Sequence, residues 1–126
     1  EPNKKIRESI KKSFPQIPII FFPRQSKNEI FSFINKVKPD VLSLDKKILT
    51  NIYNIAKEKN IILQGNLDPN ILLNGGKELE DEVKKIMLQF SQNDHIFNLS
   101  HGILPTTPID NVKKTIDIIK DFNEAK

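Results

Sequence analysis

With 126 residues, 37% hydrophobic and 29% charged, the chain can build one folded core but is too short for two. It has no cysteine, which excludes disulfides, thiolate zinc sites and cysteine nucleophiles, and no apolar run nears the roughly 20 residues that cross a bilayer. Its 20 basic and 16 acidic residues leave a net charge of +4, yet the lysines are scattered among carboxylates, as in Lys77-Glu78-Leu79-Glu80-Asp81-Glu82, so solvated helix faces are expected rather than a nucleic-acid or membrane surface.

The opening Glu1-Pro2-Asn3-Lys4-Lys5 lacks the apolar core of a signal peptide, and a cytoplasmic protein is expected. From about Lys4 to Ser13 the chain reads as a short helix. Four apolar runs then follow, rich in β-branched or aromatic residues: Pro18–Phe22, Asp40–Leu44, Ile61–Gln64 and Ile96–Leu99. Each is short, mostly apolar on both faces and followed by polar or glycine-bearing residues, as buried parallel strands are. Behind each run lies a stripe at helical spacing. The stripes are Ile30, Phe31, Ile34 and Val37; Ile48, Ile52, Ile55 and Ala56; Leu79, Val83, Ile86, Met87 and Phe90; and Ile109, Val112, Ile116, Ile119 and Phe122. For the last helix, Thr107 is the expected cap, with Pro108 in the first turn and Asp110 completing a capping box.

A helix followed by four strand–helix units demands a parallel sheet with right-handed crossovers. No glycine-rich phosphate loop follows any strand, which disfavours the nucleotide-binding sheets and leaves part of a (β/α)8 barrel as the better layout. A complete barrel needs about 250 residues, so four units are half of one, a single partial domain over residues 1–126. Such a half leaves two sheet edges and an apolar interior face uncovered.

In barrels the functional groups gather where strands end. Those positions are Pro23-Arg24-Gln25, Asp45-Lys46, Gly65-Asn66-Leu67-Asp68-Pro69 and Ser100-His101-Gly102. The third is turn chemistry, in which Asn66 or Asp68 bonds back to the backbone or faces a ligand. His101 lies past a strand end beside a glycine, in a loop stiffened by Pro105 and Pro108, where an imidazole can bind a carboxylate or pass a proton. His95 is expected to precede its strand and to be structural.

Leu63-Gln64-Gly65-Asn66-Leu67-Asp68-Pro69, followed by His95-Ile96-Phe97-Asn98-Leu99-Ser100-His101-Gly102-Ile103-Leu104-Pro105, resembles the carboxy-terminal end of the uroporphyrinogen decarboxylase family. Members typically read Leu-Gln-Gly-Asn-Leu-Asp-Pro and then Asn-Leu-Gly-His-Gly-Ile. The runs Pro18–Phe22 and Asp40–Asp45 resemble the two preceding strands. The resemblance implies a cytoplasmic (β/α)8 barrel, a homodimer when full length, and a cofactor-free and metal-free carboxy-lyase of haem biosynthesis. Its substrate is uroporphyrinogen III, an octacarboxylate converted to coproporphyrinogen III with release of CO2. The matching substrate-binding residue is His101. The family's arginine-rich loop, central aspartate, tyrosine and serine have no counterpart in this chain, and Tyr53 is not that tyrosine, so no catalytic residue is expected here and the isolated chain is expected to be inactive. Two positions depart from the pattern: Asp45-Lys46 stands where Asp-Trp is usual, and Ser100 replaces a glycine.

Two other readings compete. Corrinoid methyltransferases share the pattern of the last two strands but need a cysteine thiolate for zinc, and this chain has none. A half-barrel could also be a non-catalytic split-gene relic that serves only as an assembly partner.

Overall fold

The computed structural model describes residues 2–24 and 29–126. Helix α1 (Pro2–Ser13) leads into strand β1 (Ile20–Phe21), and helix α2 (Ile30–Val37) into β2 (Val41–Ser43). Helix α3 (Ile52–Glu58) precedes β3 (Ile62–Gln64); two helices, α4 (Pro69–Asn74) and α5 (Gly76–Gln89), separate β3 from β4 (His95–Ile96), and α6 (Ile109–Glu124) follows. The four strands form one parallel sheet in the order β1-β2-β3-β4. The alternation read from the sequence is therefore the alternation the chain adopts.

Breaks between elements have local causes. Helix α2 ends at Lys38, in the left-handed region at φ 53°, whose N–H bonds Ile34 O, and Pro39 cannot extend the helix. Strand β3 ends at Gly65, at φ 125°, where a Cβ would come within 3.1 Å of Leu44 O. Gly75, at φ 69° and ψ −148°, breaks α4 from α5. A Cβ there would fall 2.6 Å from the Asn111 amide, which donates to Leu72 O at 2.8 Å and Leu73 O at 3.0 Å. That amide pins α6 to the end of α4.

Strand registers assign the two faces of the sheet. Successive side chains alternate, and Leu42, Leu44 and Leu63 point to the helices, where they join Ile34, Ile52, Leu79, Val83, Ile86 and Phe90 in one core. The opposite face carries Ile20, Val41 and Ile62 in one row and Ser43, Gln64 and Ile96 toward the strand ends. On the edge strands Ile20 is 50% and Ile96 40% exposed, as at the open margins of an unclosed barrel interior, whereas Val41 and Ser43 on the central strand β2 are buried.

Four expectations need correction. The fourth strand begins at His95 rather than after it, and Leu99 pairs only as an isolated bridge to Leu67. Thr107 does not cap α6: Pro108 occupies the cap position without a side-chain bond, so Thr107 sits one residue early and its hydroxyl is buried without a partner. Helix α6 also lies rotated from the expected stripe. Ile109 and Ile116 are 72% and 46% exposed, whereas Thr115 and Ile118 are buried. Thr115 tolerates this because its hydroxyl donates to Asn111 O at 2.9 Å. The residues read as one turn after β3 open a separate helix, α4, because Asp68 caps it and Pro69 suits its first position.

At the opposite end of the sheet, Asp40 holds α1 in place. Its carboxylate meets Lys11 Nζ at 2.9 Å and Arg7 at 3.7 Å, and accepts from the Ile19 N–H at 2.9 Å. Burial alone would raise the Asp40 pKa, but the Lys11 bond, the Ile19 amide and the nearby cations outweigh it and hold the carboxyl below its usual range. Its contribution to stability is therefore complete above the ordinary carboxylate pKa and is lost as pH falls through the depressed folded value. Asp40→Ala is expected to lower unfolding free energy by about 1–3 kcal/mol at pH 7. In urea titrations the difference from the parent chain should shrink on acidification, and a pH-independent difference would rule out the charge.

Candidate functional site at the strand ends

The C-terminal ends of β2, β3 and β4 are laced into one rim. Leu44 N–H bonds Gln64 O, Gly65 N–H bonds Ile96 O and Leu67 N–H bonds Asn98 O, so the ladder continues past the strands. The Asn66 side-chain amide reaches across to Asp45 O at 3.1 Å and Lys46 O at 3.4 Å. Asp68 Oδ1 caps α4 by accepting from Asn70 N–H at 2.9 Å, while Oδ2 pairs with Lys46 Nζ at 2.6 Å. Burial would raise the Asp68 pKa, but Lys46 and the two Asn70 donors overcome it, and the carboxyl lies below its usual range. Both groups of the pair are thus committed to each other and to the fold.

Of the residues singled out in the sequence, Asn66 and Asp68 turn out to tie loops together. Lys46, noticed only as a departure from a family pattern, is what holds Asp68 from the neighbouring loop. The cue for Asp68 was present, since aspartate before proline is a helix start; nothing local pointed to Lys46. An open groove of about 410 Å³ runs along the same rim between α3 and α5, with Lys46, Tyr53, Asn66, Asp68 and Glu82 in its walls. His101 does not line it.

His101 is set by its neighbour. Ser100 N–H bonds Leu67 O at 2.8 Å, and Ser100 is 1% exposed, so the chain is anchored beside the start of α4. The next residue, His101, is exposed on the rim, and its imidazole makes no hydrogen bond within the described residues. Gly102 is open around its Cα, with nothing within 4 Å of a built Cβ. The imidazole is free to meet a ligand from the open side.

The two histidines are not brought together. His95 points to the helix layer, its ring stacked on Phe90 at 3.9 Å and 4°, with Nε2 against Gly65 O. A carbonyl only accepts, so Nε2 carries the proton. Burial pushes the His95 pKa down, partly offset by that bond, which leaves a neutral, structural imidazole at pH 7. Arg24 lies exposed at the end of β1, and Gln25 falls outside the described residues. No group of three or more His, Asp or Glu among the described residues is arranged to hold a metal ion, and no described helix is long and apolar enough to cross a membrane.

Residues 1–122 match the family model for uroporphyrinogen decarboxylase (URO-D). The chain belongs to the uroporphyrinogen decarboxylase family. It is 39% identical over 122 residues to a uroporphyrinogen decarboxylase of Rickettsia bellii, covering 97% of this chain and 36% of that protein. A relative from Paracoccus denitrificans is 36% identical over 120 residues, covering 95% of this chain and 35% of the other. One from Orientia tsutsugamushi is 35% identical and covers the whole chain and 37% of its own length. The chain thus spans little more than a third of the curated relatives it matches, and the matches fit a carboxy-terminal portion. Uroporphyrinogen decarboxylases are (β/α)8 barrels, and the four parallel strands with their helices are part of one.

Proposed function

We propose that this chain supplies the carboxy-terminal β/α units of a uroporphyrinogen decarboxylase barrel, as one partial domain spanning residues 1–126. The family match over residues 1–122 carries the reading. The reaction removes CO2 from the four acetate side chains of uroporphyrinogen III. Protonation of a pyrrole carbon lets the ring accept the electron pair of the breaking C–C bond, so no cofactor is needed. A proton then adds to the former acetate methylene, giving the methyl group, and the ring releases its own proton.

In this reading His101 binds a substrate carboxylate from the rim. The remaining functional groups come from the rest of the barrel, so the isolated chain binds weakly and does not turn over. The full-length protein is cytoplasmic and homodimeric, and acts on a tetrapyrrole without nucleic acid or membrane.

The test joins this chain to the amino-terminal two-thirds of the Rickettsia bellii relative, replacing the matched region. The joined barrel should form coproporphyrinogen and the isolated chain should not. His101→Ala should lower kcat/KM of the joined barrel by roughly 10- to 100-fold, the range for losing a hydrogen bond to a charged group. A joined barrel without activity defeats the decarboxylase reading, and unchanged turnover in His101→Ala defeats the assigned role of that residue.

A further inference from the structure

The face of the sheet away from the helix-packed core carries a polar pair, Ser43 buried and Gln64 partly buried. Ile20, Val41 and Ile62 stand in register as an apolar row. The next row toward the strand ends holds Ser43, Gln64 and Ile96. Gln64 Nε2 donates to Ser43 Oγ at 3.2 Å. With one amide N–H and one hydroxyl lone pair used, the Ser43 O–H and the second Gln64 N–H remain as donors. Neither meets another partner within the described residues.

Once the remaining strands close over this face, two apolar residues would fill this central position of a parallel sheet at lower cost than donors left unmatched. The position is also telling. The pair closes the C-terminal end of β2 and β3, one row above an apolar plug, where barrel enzymes meet their ligands. It lies on the rim that carries His101, but approaches a ligand from the sheet rather than from the loop. Both groups are neutral, so they can hold an anion without exchanging a proton with it.

We propose that Ser43 and Gln64 form a substrate-contacting donor pair that takes a carboxylate of the polyanionic substrate from the floor of the cleft. This rests on the decarboxylase reading. It adds two specificity-determining residues from β2 and β3 to the single contact that His101 makes.

The joined barrel described above provides the assay, with uroporphyrinogen III as the probe and melting temperature recorded for each variant. Gln64→Leu removes the donor, and kcat/KM should fall roughly tenfold, mostly through KM. Gln64→Glu keeps the link to Ser43, since the hydroxyl can donate to the new carboxylate, but turns a negative group toward a negative substrate. It should be worse than Gln64→Leu at an unchanged melting temperature. If Gln64→Glu equals or exceeds Gln64→Leu, or if both stay within about twofold of the unsubstituted barrel, the pair has no such role. Failure of the unsubstituted barrel to make coproporphyrinogen would instead defeat the decarboxylase reading and the pair with it.

Discussion

Phe90→Ala is expected to lower the unfolding free energy of this chain by about 3–5 kcal/mol. Phe90 is 2% exposed, stacks on His95 at 3.9 Å and meets the edge of Tyr53 at 5.2 Å. It therefore joins α5 to β4 on one side and to α3 on the other. Truncating a buried phenylalanine costs about 3–5 kcal/mol, against roughly 5–15 kcal/mol for a whole domain. The substitution should also change the response to pH. Because burial depresses the His95 pKa, the neutral ring stabilises the fold fully above the ordinary imidazole value of about 6.5. That contribution is lost as pH falls from there through the depressed folded value. Opening the stack to water returns His95 toward its ordinary pKa, so the variant should lose less stability on acidification than the parent. Urea unfolding followed by circular dichroism at pH 7.5 and 5.5 tests both points. A loss below about 1 kcal/mol would show that the stack does not hold these elements together.

How much of this was legible follows from the kind of signal each residue carries. The strands were readable because the central strands of a parallel sheet are buried and mostly apolar, as Val41, Leu42 and Leu44 show, with Ser43 the one polar residue among them. The stripe through Leu79, Val83, Ile86, Met87 and Phe90 was readable because α5 packs one face squarely on the sheet. Helix α6 misled because its apolar residues occupy two faces. Periodicity does not tell Ile109 and Ile116, which stay exposed, from Ile118, which is buried. Position along the helix cannot decide that; the Asn111 anchor to α4 does.

The site divides the same way. His101 stands out because its loop carries a distinctive string, and the structure leaves it exposed on the rim. Lys46 was missed as a structural partner because its mate, Asp68, comes from the next unit, 22 residues later in the chain, and only the sheet brings them to 2.6 Å. The Ser43–Gln64 pair was invisible for a related reason. A serine and a glutamine in two apolar runs are unremarkable until the register sets them side by side on the face away from the helix-packed core. Contacts between units belong to the topology, and local sequence does not carry them.

That face of the sheet gives the second large effect. Ile62 sits in its apolar row, only partly buried, opposite the helix layer. In the isolated chain Ile62→Asp should change unfolding free energy by no more than about 1–2 kcal/mol, because the new carboxylate stays in water. It should also reduce self-association by breaking up an exposed apolar surface. Once the remaining strands close over this face, the same carboxylate is buried without a partner, at a penalty of several kcal/mol. The joined barrel carrying Ile62→Asp should therefore fail to close and lose its activity. Leu63→Asp is the control from the other side of the sheet, since Leu63 is buried in the helix-facing core and its substitution should unfold the isolated chain as well. Light scattering and circular dichroism on both forms separate the cases. A joined barrel that keeps full activity with Asp at position 62 would mean that this face never becomes an interior, and the exposed Ile20 and Ile96 would then need another partner.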